Sequence, residues 1–248
     1  MVTASPTDQH RLLDLQGFDS AVARAAARRR SLPELAQLEA VDTVLAGLGE
    51  QARTHTVAVA DLDLAMRKLE KEIDLVRSRA DRDRGRMDSG QVTNAKQLTE
   101  LQSEIASLGR RQGVLEDEEL GLMEQREQAE AALAAVQAAI ADAEQQRADL
   151  QARRDEALAT LDRDAALARS RRDMLAPQLP ADLLALYEKL RAENEGVGAA
   201  ALVSRRCQGC HLELQGSELG RVRTAAPDAV VRCDECGRIL VRTAESGL

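Results

Sequence analysis

The chain has four cysteines, in two Cys-x-x-Cys pairs, Cys207–Cys210 and Cys233–Cys236, separated by 22 residues. Each pair can wrap one tight turn so that two sulfurs converge, and two such knuckles complete a tetrahedral S₄ site for zinc. Gly209 and Gly237 supply the permissive backbone that such turns use. Two disulfides do not suit a cytoplasmic chain. A redox pair of the thioredoxin kind would want a βαβ context, which the sequence lacks. A catalytic zinc needs an open coordination position, and four thiolates leave none. His211 follows Cys210 directly and could replace a sulfur, but four cysteines already satisfy the metal, so it reads as a bystander. The expectation is one structural zinc held by Cys207, Cys210, Cys233 and Cys236. No glycine-rich phosphate loop and no Gly-x-Ser-x-Gly nucleophile turn occurs, and His10, His55 and His211 are the only histidines. Scattered Asp and Glu read as solvated helix faces. The chain is therefore expected to be neither an enzyme nor a binder of a small-molecule substrate.

The knuckles must be placed by what surrounds them. From Ala199 onward, 200–203, 230–231 and 239–241 are short strand candidates separated by turns. That segment has no aromatic side chain and can bury little, so metal rather than packing is expected to decide whether it folds. The preceding chain differs in kind. Phe18 and Tyr187 are its aromatics and Trp is absent, so a large compact core lacks its bulkiest fillers. Alanine, leucine, glutamate, glutamine and arginine dominate, the composition of long helices. Net charge is −8 with 31% charged residues, which gives no global bias toward nucleic acid or anionic membrane. The N-terminus lacks an apolar signal region and no stretch of 18 apolar residues exists, so a cytoplasmic location with no membrane contact is expected.

Steps of three and four residues from Leu38 to Asp83 meet apolar side chains at 12 of 14 positions, with His55 and Asp83 dissenting. The same walk from Leu98 to Asp164 meets 14 in 20. A repeat of 3.5 residues held this long marks a coiled-coil seam. Between the two runs lie Gly85 and Gly90 among polar residues, a reversal, with Thr93 or Asn94 as N-cap of the second arm. The expected class is mainly α: a long antiparallel coiled-coil helical hairpin with a small C-terminal β zinc ribbon. Its hairpin domain is 1–175, comprising an N-terminal helix 7–30, a first arm 32–83, a tip 84–93 and a second arm 94–173. A linker helix occupies 176–198 and the C4 zinc ribbon 199–248. Ser31 and Pro33 break the first arm from the N-terminal helix, which is expected to pack on the free end of the longer arm. A turn centred near residue 90 would set Arg126 opposite Thr54–His55 and Glu119 opposite Asp61–Leu62. That polar cluster either fixes register or is a half-buried seam with Arg126 reaching water.

Three stretches carry a family resemblance. They are Ser89–Leu98 leading into Leu101–Ile105, Leu115–Leu120 with Met123–Glu124, and the cysteine segments 207–211 and 231–240. Together with the hairpin and ribbon order, the chain resembles the bacterial zinc ribbon domain-containing proteins, formerly a domain of unknown function, in their actinobacterial form. The resemblance covers nearly the whole chain. It implies no enzymatic activity and a regulatory adaptor role, which some relatives exercise toward an alternative sigma factor, export components or messenger RNA.

Two functions follow. The first is a protein–protein adaptor: a helical hairpin recognised at its tip, with Gln91, Asn94 and Lys96 as the contacting side chains, and at its ribbon. The alternative is nucleic-acid binding through Arg205, Arg206, Arg221, Arg223, Arg232 and Arg238. From Ala199 on the net charge is +1 and the remainder carries −9, while a Zn(Cys)₄ centre itself adds about −2. No aromatic is available for base stacking, so such binding would be led by phosphate contacts.

Overall fold

A computed structural model describes residues 2–248. Its elements are α1 (Pro6–Arg30), α2 (Pro33–Asp88), α3 (Ala95–Leu175), a short 3₁₀ turn (Ala176–Gln178), α4 (Ala181–Glu193), β1 (Ala199–Val203), β2 (Arg206–Cys207), α5 (Gly216–Thr224), β3 (Val231–Arg232) and β4 (Ile239–Arg242). The molecule is mainly α, a long coiled-coil hairpin with a small C-terminal β zinc ribbon. By contacts it divides into two compact units, 37–150 and the pair of segments 1–36 with 151–248. The N-terminal helix, the ends of both arms and the ribbon thus share one unit, whereas the sequence grouped the helix with the hairpin.

In the unit 37–150, the arms of α2 and α3 meet along the stripe that the 3.5-residue repeat marks. Leu69 and Ile73 close around Leu115, and Leu38 and Val41 around Leu150. Cross-arm ion pairs flank the stripe: Arg147–Asp42 at 2.9 Å, Arg111–Glu72 at 2.7 Å and Arg79–Glu104 at 2.7 Å. Register differs from the sequence expectation. Arg126 reaches Asp63 at 2.5 Å and Glu130 at 2.8 Å, not Thr54–His55. The cause lies at the turn. Gly85 is inside α2, which runs through Asp88, and the reversal is confined to 89–94. One glycine within a helix costs roughly 1 kcal/mol, a price the continuing seam outweighs. Gly90, at φ 68°, ends the arm in the left-handed conformation that glycine adopts freely. Lengthening α2 beyond residue 83 moves the centre of the turn and with it every cross-arm partner.

The other unit is built on a four-stranded sheet in the order β2-β1-β4-β3. β1 and β4 run parallel, with Ala199 beside Ile239 and Leu202 beside Arg242, and β2 and β3 flank them antiparallel. Successive side chains on a strand point to opposite faces, so this sheet has two cores. Ala199, Ile239 and Val241 pack with Leu12 and Leu15 of α1 and with Leu183, Tyr187 and Leu190 of α4. Ala200, Leu202 and Leu240 face the other way, onto Cys207, Cys233, Leu214 and Val222. α1 begins at an N-cap in which the Ser5 hydroxyl accepts from the Asp8 N–H at 3.1 Å, and ends at three arginines suited to a helix C-terminus. It meets α3 through Asp19–Arg172 and Arg29–Asp162, each at 2.8 Å. Its apolar stripe is spent on α4 and the sheet. Packing therefore shares with metal the task of holding the ribbon.

Candidate metal centre

The two knuckles are built alike. The His211 N–H donates to the Cys207 carbonyl at 2.7 Å, and the Gly237 N–H to the Cys233 carbonyl at 2.8 Å. The residue after each second cysteine is left-handed, His211 at φ 63° and Gly237 at φ 70°. Gly237 serves as its type suggested. Gly209 is needed for space instead: a Cβ there would lie 2.7 Å from Arg238 Cδ and 3.1 Å from Ala200 Cβ. Its N–H also donates to Cys207 Sγ at 3.4 Å.

All four sulfurs lie within 4.8 Å of one another, with Cys207–Cys236 and Cys210–Cys233 at 3.9 Å. A tetrahedron of thiolates with Zn–S near 2.3 Å has edges of about 3.8 Å, so the donor set fits zinc in type, number and spacing. Cys207 and Cys233 are buried, Cys210 and Cys236 half-buried. Burial pushes the Cys207 and Cys233 thiols up, against their own N–H donors. Burial opposes ionisation at Cys236 too, but the backbone N–H and side chain of Arg238 hold that thiol below its ordinary value. A divalent cation supplies the charge that two buried thiolates otherwise lack, and a closed S₄ set gives it a structural role. The protein carries one structural zinc in a C4-type ribbon, for which these four cysteines are the candidate ligands. His211 is exposed and outside the cluster.

The surroundings employ most of the arginines considered for nucleic acid. Arg238 donates to the carbonyls of Val197 and Asn194 at 3.0 and 3.1 Å, tying the second knuckle to the segment after α4. Arg232 donates to the Gly237 carbonyl at 2.7 Å, and Arg205 to that of Gly247 at 3.2 Å. Arg221 pairs with Asp234 at 2.5 Å, and Glu218 accepts from the Asp234 N–H at 2.8 Å, so α5 braces the second knuckle. Arg206 and Arg223 are exposed. Four of the six candidates are thus engaged within the fold, while all but Arg238 remain exposed.

A buried polar cluster behind the sheet escaped the sequence reading. Asp19 of α1 accepts from the Tyr187 hydroxyl at 2.7 Å and from Arg172 at 2.8 Å, and Arg191 approaches it at 3.2 Å. Glu188 pairs with both arginines. Gln16 accepts from the Gly198 N–H at 2.7 Å and donates to the Gly196 carbonyl at 3.0 Å, clamping the entry to β1. The signal was present: Gln9, Gln16 and Asp19 share a helix face with Leu12 and Leu15, where polar residues are out of place unless they are bonded.

At the hairpin tip, Gln91 and Lys96 are exposed, with Lys96 4.0 Å from Glu100. Asn94 is exposed but employed as the N-cap of α3, its Oδ1 accepting from the Lys96 and Gln97 N–H groups at 2.9 and 3.4 Å. The cap uses its Oδ1 while the side chain remains exposed at the tip.

Comparison with known proteins matches this architecture in both parts. Residues 15–195 match the model of the CT398-like coiled coil hairpin domain, and residues 206–240 that of a C4-type zinc ribbon domain. The uncharacterized protein Rv2229c of Mycobacterium tuberculosis is 40% identical over 96% of this chain and 97% of its own length. The uncharacterized protein ML1638 of Mycobacterium leprae is 34% identical over 90% of this chain and 95% of its own. A solved structure from Mycobacterium smegmatis superposes with a TM-score of 0.84 at 37% identity, covering 97% of this chain and all 100% of that one. CT398 from Chlamydia trachomatis, at 18% identity and a TM-score of 0.64 over 96% and 98% of the two chains, shares the fold. The chain belongs to the CT398-like coiled-coil hairpin family, in its zinc-ribbon-bearing form.

Proposed function

We propose that this protein is a non-catalytic adaptor that joins protein partners, with the hairpin tip as one recognition surface. The observation that carries the reading is the economy of the site. The zinc set is closed, and the buried Asp19 and Gln16 behind the sheet are paired with Tyr187 and Gly198. The side chains of Gln91 and Lys96, by contrast, make among the described residues no polar contact beyond one long approach to Glu100. Beside them a cleft of about 380 Å³ is lined by Arg86, Val92, Gln97, Glu100, Leu101 and Glu104, with its two apolar side chains among charges of both signs. Such a mixed surface suits a folded protein better than a phosphate backbone.

The adaptor reading is tested by affinity capture from native lysate, with and without nuclease, using the wild type and a Gln91→Ala/Lys96→Ala variant. Asn94 is kept, so that helix capping is not disturbed. A protein retained after nuclease treatment and lost from the variant is the expected result. Co-purifying RNA that disappears with nuclease, and no retained protein, would contradict it.

A further inference from the structure

Arg238 is placed by both knuckles. Its carbonyl accepts from the Cys233 N–H at 3.1 Å, across the turn that the Gly237 N–H closes onto the Cys233 carbonyl at 2.8 Å. Its stem lies on the first knuckle, so close that a Cβ on Gly209 would stand 2.7 Å from Arg238 Cδ. From there the guanidinium leaves the metal site. Nε donates to the Val197 carbonyl at 3.0 Å, and Nη2 to that of Asn194, the C-cap of α4, at 3.1 Å. One half-buried side chain thus touches both halves of the S₄ set and the segment that leads into β1.

That segment is in turn the seat of α1. Gly198 lies so tightly on α4 that a Cβ there would be 2.6 Å from the Tyr187 carbonyl oxygen. Gln16 of α1 accepts from the Gly198 N–H at 2.7 Å and donates to the Gly196 carbonyl at 3.0 Å, while Asp19 accepts from the Tyr187 hydroxyl at 2.7 Å. The four cysteines are free thiols, so a divalent cation is what would tie their two turns together. With the turns parted, the Arg238 stem loses its platform, and the planar fork no longer meets two carbonyls at once. Such a contiguous run of packed and bonded groups is a physical route by which two sites can be coupled.

We propose that metal occupancy of the four-cysteine site is transmitted through Arg238 to the N-terminal helix, so that zinc tightens the dock of α1 on 194–199 and its loss loosens that dock. Metal availability then sets how firmly Leu12 and Leu15, the buried stripe of α1, stay covered. Coupling of this kind is reciprocal, so weakening the α1 end must weaken zinc binding in turn. Arg221 supplies the comparison. It also braces the second knuckle, through Asp234, but belongs to α5 and makes among the described residues no bond to 194–199.

The test follows amide hydrogen exchange of residues 12–20 by mass spectrometry in the full chain, zinc-loaded and stripped by a chelator. In the wild type, stripping should speed exchange there about tenfold or more. Arg238→Met keeps the stem and removes the fork, and should shrink that response to about twofold or less, whereas Arg221→Met should keep it whole. The visible spectrum of the cobalt(II)-loaded proteins should be the same in all three, which shows that the S₄ set is intact. A second arm does not depend on Arg238 variants loading metal. Gln16→Ala should lower zinc affinity in chelator competition by about threefold or more, and Gln9→Ala, whose side chain binds the Ala4 and Pro227 carbonyls, should leave it unchanged. Unaltered exchange on stripping the wild type, a full response in Arg238→Met, a lost response in Arg221→Met, or wild-type zinc affinity in Gln16→Ala would overturn the proposal.

Discussion

The four cysteine positions were fully legible, because metal-ligand chemistry is written in residue type and spacing alone. Their setting was less so. Gly209 was legible as important but for another reason, since close approach to Ala200 and Arg238 depends on a strand and a knuckle meeting across the chain. Purified, unchelated protein should contain about one zinc per chain. Cys207→Ser or Cys236→Ser should lower zinc content and make 206–238 protease-sensitive. It should leave the helical circular-dichroism signal nearly unchanged, because α2 and α3 alone supply 56 and 81 helical residues. A wild-type protein without zinc would rule out the metal centre. The Tyr187 hydroxyl has a titration of its own. Burial, then the bond to Asp19, raises its pKa well above the ordinary value of about 10. Its folded form prefers to stay neutral, so the stability it contributes is fully present below about pH 10 and is lost as pH rises above that. Tyr187→Phe should cost about 1 kcal/mol at neutral pH, since Asp19 keeps its arginines, and should reduce the alkaline loss measured by chemical denaturation.

Elements were readable wherever periodicity was long. Both arms, the break at Pro33 and the short α4 follow from apolar spacing and proline, and the seam stripe is the one the repeat marks. What was not readable was register, because it depends on where α2 ends, and a lone Gly85 among arginines looks like a turn until tertiary contacts overrule it. α5 was missed for a related reason: nine residues with Gly216 and Gly220 have little helix propensity, and its burial of Val222 under the sheet is a long-range fact. Two predictions belong here. Asn94→Ala should destabilise the hairpin by about 1 kcal/mol through loss of the α3 cap, read as a lower denaturation midpoint. If no change is found, the cap assignment fails. Cysteines placed at Asp63 and Arg126 should cross-link efficiently and those at His55 and Arg126 should not, with the reverse pattern contradicting the register.

For the whole molecule, the sequence separated hairpin from ribbon, yet contacts join the ribbon to α1 and α4 through Leu12, Leu15, Tyr187 and one face of β1 and β4. Such partners lie nearly the full chain length apart, beyond the reach of local pattern. No helix among the described residues is long and apolar enough to cross a membrane. The central claim is that the tip is a protein-binding surface. The most direct test places a photo-crosslinking amino acid at Gln91 in the living cell of origin, with a second site at the exposed Lys71 on the arm as control. The adaptor account expects a discrete protein adduct from position 91 that is absent from position 71 and resists nuclease. No adduct above the control, or an adduct that nuclease removes, would contradict it.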